Sequence, residues 1–155
     1  MCDARAGFAT AADVLCLRRG VLWVVEVKAG WDAPGSYDAR CGRMAGAALA
    51  LADSPRNQHM LQLALTCAMA RETLGLARGA LAGAVACVSA DGVRFHPLDA
   101  RAAALEGALV RGMRAAVAAA RRAAPGARAF GTRLVYMSAR SPAGRTSARP
   151  RGCPQ

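Results

Sequence analysis

Asp13, Glu26 and Lys28 are the residues of this chain whose types and spacing could act together on a substrate. Val21 to Lys28 (VLWVVEVK) is a short run rich in Val, and on an extended strand side chains at i and i+2 share a face, so Glu26 and Lys28 point the same way. Ala11 to Arg18 (AADVLCLR) is a second such run, and Arg19-Gly20 between them supplies a two-residue turn, which together predict a β-hairpin. With that turn, paired residue numbers sum to 39 and Asp13 falls opposite Glu26. Cross-strand neighbours of this kind have Cβ atoms about 4.5–5.5 Å apart. Two carboxylates so close on a largely apolar hairpin repel each other and lose hydration, and a divalent cation would compensate both effects. Mg²⁺ takes one or two carboxylates and keeps several waters, leaving room for a phosphate oxygen.

Spacing alone makes D-x(12)-E-x-K a weak pattern, and composition adds to it. Of the 21 basic residues, Lys28 is the only lysine and the rest are arginine. A compact ammonium on a flexible stem suits the orientation of a water or the neutralisation of a pentacovalent phosphorus, and a planar guanidinium replaces it poorly.

The elements that must position these residues follow from punctuation. Gly and Pro mark Ala29 to Tyr37 (AGWDAPGSY) as a loop, and Arg40 to Ala52 is expected to be a helix of small residues. Ser54-Pro55 is an N-cap followed by a first-turn proline, and Gly75 is a stop, so a helix is predicted from there to about Leu74. Its middle (MLQLALTCAMA) is apolar nearly all round, which implies burial against a sheet. Gly79 to Ala90 (GALAGAVACVSA) reads as a buried strand, Asp91-Gly92 as a turn and Val93 to His96 as a return strand. An alanine-rich helix is expected from Leu98 or Asp99 to Pro125-Gly126, with a further strand at Arg133 to Ser138 (RLVYMS) and disorder from Ser141 to Gln155. This order predicts an α/β class with a mixed sheet.

At 155 residues the chain suits one domain plus a tail: residues 1–126 as the domain and 127–155 as an Arg-rich, mostly disordered tail. The net charge of +11 is uneven, since Arg128, Arg133, Arg140, Arg145, Arg149 and Arg151 follow Ala127 with no acid among them. Such a tail is attracted to polyphosphate; a GC-rich coding bias would also produce it. Cys2, Cys16, Cys41, Cys67, Cys87 and Cys153 form no C-x-x-C pair and read as reduced thiols of an intracellular protein. No apolar run reaches the roughly 18 residues of a membrane span, so a soluble protein without a membrane partner is expected.

The stretch TAADVLCLRRGVLWVVEVKAG resembles the central hairpin of the PD-(D/E)XK nuclease superfamily, where an acid ends one strand and E-x-K follows on the next. The stretch PRNQHMLQLALTCAMARETLG and the strand GALAGAVACVSADG resemble the helix and strand that follow it in the RecB-like and lambda-exonuclease-like branches, whose helix carries a glutamine motif, commonly Q-x-x-x-Y. The similarity covers roughly residues 7 to 97. It implies a restriction-endonuclease-like mixed sheet flanked by helices, and a Mg²⁺- or Mn²⁺-dependent nuclease acting on DNA. It makes Asp13, Glu26 and the carbonyl of Val27 metal ligands, Lys28 the catalytic lysine and Gln62 the motif glutamine. His59, three residues before Gln62, could face the site from the same side of the helix. Trp31 could stack on a base, and Arg140, Arg145, Arg149 and Arg151 could hold the nucleic-acid backbone.

Ala12 stands where the superfamily name has proline, and Thr66 where the motif has tyrosine. Only about ten residues precede the hairpin, so the family's first helix and strand are mostly missing: either the domain is a reduced form, or the chain is a fragment, or a protein partner or second subunit completes the fold. Two other readings stand beside the nuclease: a catalytically degenerate fold that binds nucleic acid through its tail, and a small basic virion- or nucleoid-packing protein. The site of action would be cytoplasm or nucleoid in a bacterium, host nucleus or viral factory for a virus.

Overall fold

The computed structural model describes residues 2–3, 8–30 and 35–123. Its centre is a four-stranded mixed sheet, α/β in class, in the order β3 (Val14–Arg18), β4 (Val21–Ala29), β5 (Leu81–Ser89), β6 (Gly92–Pro97). The β3–β4 and β5–β6 pairs are antiparallel, and β4–β5 is parallel. The hairpin register is the expected one, Val14 opposite Val25 through Arg18 opposite Val21. The turn makes it so: Arg19 has φ 51 and Gly20 φ 78, positive at both central positions as a two-residue hairpin turn of matching twist requires.

Parallel strands need a crossover, and here it contains α1 (Pro55–Leu74). The helix starts where its sequence says, with the Asn57 amide donating to Ser54 Oγ at 3.2 Å, and ends on Gly75 at φ 64. It is apolar nearly all round because it is covered on two sides, by β4 and β5 on one and by α2 (Ala100–Ala104) and α3 (Glu106–Ala123) on the other. Val24, Val85, Met60, Leu63 and Cys67 fill the layer between helix and sheet. The approach is close at Gly83 of β5, where a Cβ would lie 2.7 Å from Cys67 Sγ and 3.1 Å from the Leu63 side chain. On the opposite face of the sheet Val27, Val88, Val93 and Phe95 are exposed.

Two expectations need correction. No α-helix forms over residues 40–52, only a 3₁₀ turn at Gly46–Ala48: Cys41 N donates to Asp53 O, Asp53 N to Gly42 O and Met44 N to Leu51 O, so the segment folds back on itself through an Arg43–Ala52 bridge. Gly42 at φ 119 and Gly46 at φ 62 take backbone conformations incompatible with a helix. The single helix expected from residue 98 or 99 to 125 is two, interrupted at Leu105, whose amide bonds back to Ala102 O. The second piece begins with Glu106, buried and ion-paired with Arg71 of α1, an anchor that periodicity does not reveal. Ahead of the hairpin there is a two-stranded antiparallel ribbon, β1 (Cys2–Asp3) with β2 (Phe8–Ala9), outside the main sheet. Cys16, Cys67 and Cys87 are free thiols. Among the described residues no helix is long and apolar enough to cross a membrane. The strand expected at 133–138 and the tail at 127–155 lie outside the described residues.

Candidate active site

Glu26 sits near the C-terminal end of β4 and turns its side chain toward α1, on the same face as Val24 and Lys28. It is 2% exposed and one of the largest fully buried side chains of the protein. One of its oxygens, Oε2, accepts from Gln62 Nε2 at 3.1 Å and from Lys28 Nζ at 3.5 Å, and Lys28 Nζ also donates to Gln62 Oε1 at 3.3 Å. Carboxylate, ammonium and amide thus close a triangle. The other oxygen, Oε1, is buried with no hydrogen-bond partner.

The two strongest influences on Glu26 oppose each other. Burial disfavours its ionised form and raises its pKa; Lys28 pulls it down. At 3.5 Å the Lys28 contact is longer than the 2.7–2.9 Å of a strong charge-assisted bond, so burial wins and the carboxyl lies above the ordinary glutamate value, with Asp13 adding to the rise. A buried carboxyl with one unused oxygen and a raised pKa is stabilised as an anion by any cation that reaches it.

Asp13 falls one residue short of β3, which begins at Val14. Its exposed side chain continues the ladder in place of the backbone: Oδ2 accepts from the Val27 amide at 2.8 Å. The N–H and C=O of a paired strand residue are directed to the same neighbour, so the Val27 carbonyl faces the Asp13 end of the hairpin. Asp13, Glu26 and Val27 are therefore all at one end of the β3–β4 pair. Among the described residues no cluster of three or more His, Cys, Asp or Glu forms a candidate metal centre. Two carboxylates and a carbonyl are a donor set of the kind that suits a hard oxygen-seeking ion such as Mg²⁺ or Mn²⁺, which fills its remaining positions with water.

His59 does lie on the Gln62 side of α1, near enough for the Lys28 charge to act on it. Burial, then Lys28, lowers its pKa to about 4, so it is neutral at physiological pH. Its Nδ1 is 3.3 Å from the Tyr37 hydroxyl, and the two rings stack with centroids 5.6 Å apart. Tyr37 was hidden in a segment that reads only as loop, yet it is 8% exposed and also meets His96, at 5.1 Å. The available signal was an aromatic residue directly after a Pro-Gly-Ser turn in a chain with 5% aromatics. Thr66, at the position of the motif tyrosine, is fully buried and shares a 2.9 Å hydrogen bond with Thr10 Oγ1, so it has a packing task. Trp31, Arg140, Arg145, Arg149 and Arg151 lie outside the described residues.

Comparison with protein-family models, curated proteins and solved structures gives no match. The functional reading therefore stands on the geometry and on the motif residues.

Proposed function

We propose that this chain is a divalent-metal-dependent nuclease with a PD-(D/E)XK-type site and a restriction-endonuclease-like fold, hydrolysing phosphodiester bonds of DNA in processing or recombination. The observation that carries the reading is the buried Glu26 carboxylate, gripped through Oε2 by Lys28 and Gln62 while Oε1 has no partner. An apolar layer does not keep such a group for stability, because a buried polar atom without a partner costs roughly 1–3 kcal/mol.

A Mg²⁺ or Mn²⁺ ion held by Asp13, Glu26 and the Val27 carbonyl would supply a Lewis acid and an acidified water. The chain's own residues do the rest. Gln62 donates to Glu26 and accepts from Lys28, so it fixes both functional heads relative to the sheet. Lys28, 20% exposed, has its ammonium beside the carboxylate and within reach of solvent, where it can stabilise charge growing on phosphoryl oxygens. In the hydrolysis a water oxygen bonds to phosphorus as a P–O ester bond breaks, leaving a phosphomonoester and a hydroxyl. Neutral His59, with its Tyr37 partner, borders the site without adding charge.

The experiment is cleavage of labelled DNA with Mg²⁺ or Mn²⁺ by the wild type and by Lys28→Ala. Loss of one such stabilising group lowers turnover by about 10²–10³-fold, with the fold retained by circular dichroism; undiminished cleavage in the variant rejects the assignment. A binding-only protein is favoured by one observation, that Asp13 Oδ2 is already engaged by a backbone amide. It is distinguished by DNA affinity without metal-dependent turnover and by a melting temperature indifferent to the ion.

A further inference from the structure

A cleft of about 810 Å³ opens at the N-terminal end of α1, lined among others by Arg40, Arg43, Arg56 and Arg101 with Asp38 and Asp99. The arginines come from separate pieces of chain. Arg40 and Arg43 belong to the folded-back segment, Arg43 through its bridge to Ala52; Arg56 belongs to the first turn of α1 and Arg101 to α2. Both acids are already occupied: Asp38 pairs with Arg56 at 3.2 Å, and Asp99 Oδ1 caps α2 by accepting from the Ala102 amide at 2.7 Å. Arg40, Arg43 and Arg101 form no ion pair among the described residues. Guanidiniums brought together on one concave surface repel each other, and they suit a ligand with several anionic oxygens, which each can take in a forked contact.

The cleft is connected to the carboxylate site by one side of α1. Arg56, His59 and Gln62 succeed one another at intervals of three, neighbours on the helix surface, and Tyr37 with Asp38 lies along the same line, bonded to His59 and Arg56 respectively. From Arg56 to Gln62 the helix rises about 9 Å, a distance covered by a short run of nucleotides.

We infer that the Arg40–Arg43–Arg56–Arg101 cleft is a phosphate-backbone subsite that holds a nucleic-acid strand whose reacting phosphodiester lies at Glu26 and Lys28. The inference rests on the proposed phosphodiester chemistry and adds to it where the rest of the strand goes. A single-stranded backbone threaded this way passes His59, the half-buried ring that stacks on Tyr37.

The test is fluorescence anisotropy with a 5′-labelled oligothymidylate in EDTA, so that binding is read without hydrolysis, comparing the wild type with the double variant Arg43→Ala, Arg101→Ala. Both side chains are exposed, and a melting curve verifies that the variant folds. The expected result is an affinity lower by about tenfold, with the slope of log K against log salt reduced by about 1.4, two phosphate contacts at about 0.7 each. Arg43→Lys with Arg101→Lys should restore the salt slope. Equal affinity and slope in wild type and alanine variant overturn the subsite. Pyrophosphate binding as tightly as the oligonucleotide overturns the strand and leaves a small-phosphate pocket. The two readings fail separately: strand binding lost in the double variant but no metal-dependent cleavage by the wild type removes the catalysis and keeps the cleft, whereas Lys28-dependent cleavage with unaltered binding does the reverse.

Discussion

Asp13 and Glu26 occupy the same end of one hairpin and differ in what surrounds them. Glu26 is 2% exposed, holds a lysine and a glutamine on one oxygen and leaves the other without a partner. Asp13 is exposed and accepts from a backbone amide that the strand no longer reaches. Burial raises the pKa of the first. The difference separates two duties that a sequence pattern merges. The buried acid is the costly and specific one, and the exposed acid shapes the strand end; under the proposed metal chemistry it would add a charge to the site.

The strongest way to break this contrast is Glu26→Gln. Turnover is expected to fall by about 10²–10³-fold, while the melting temperature in EDTA at pH 8 rises by about 2–4 °C, the response of a domain of this size to roughly 1 kcal/mol. The ion-induced rise in melting temperature should disappear, as differential scanning fluorimetry with and without Mn²⁺ will show. A variant that melts lower in EDTA would mean that the ionised glutamate is a stabilising group after all.

Asp13→Asn sharpens the contrast from the other side. The amide oxygen still accepts from Val27, so the hairpin end is preserved and only the charge is lost. We expect a roughly tenfold weaker metal dependence with an unchanged melting temperature, measured by titrating Mn²⁺ in the cleavage assay. A loss as deep as that of Glu26→Gln would place the two acids on an equal footing.

The pH dependence gives the smallest effect. Glu26 has a raised folded pKa, so its contribution to stability is most favourable below the unfolded value near 4.5 and declines as pH rises through the folded value. His59, lowered to about 4, acts in the opposite direction: stability is lost as pH falls from 6.5 toward 4. In wild type these slopes offset each other, and in Glu26→Gln the histidine slopes remain, that of His59 joined by that of His96, whose pKa burial also lowers. Melting temperatures in EDTA from pH 4 to 8 should therefore show a steeper climb in the variant; parallel curves would refute the burial of an ionisable Glu26.

The legible parts of the molecule are those fixed by short-range chemistry. Arg19-Gly20 sets a register, and from the register comes the nearness of Asp13, Glu26 and Lys28; Ser54, Pro55 and Gly75 bound α1, and from the helix comes Gln62. The fold-back over residues 40–52 was not legible, since its alanines suit a helix and only Gly42, Gly46 and hydrogen bonds to Asp53 and Leu51 decide otherwise. Nor was the break at Leu105, which depends on Glu106 meeting Arg71 from another helix. Tyr37 was missed because no pattern links it to His59 and His96, and the arginine cleft was missed because its parts are separated by up to 61 positions, from Arg40 to Arg101.

Gly83 makes the site sensitive to a position that touches no part of it. The absent methyl lets Leu63 and Cys67 rest on β5, and Gln62 is the residue next to Leu63 on that helix. A side chain added at Gly83 would lift the helix like a shim under a hinge, and the amide that joins Lys28 to Glu26 would be carried off with it. Loss of turnover without loss of any reacting group is then the signature of a spacer inserted between two layers.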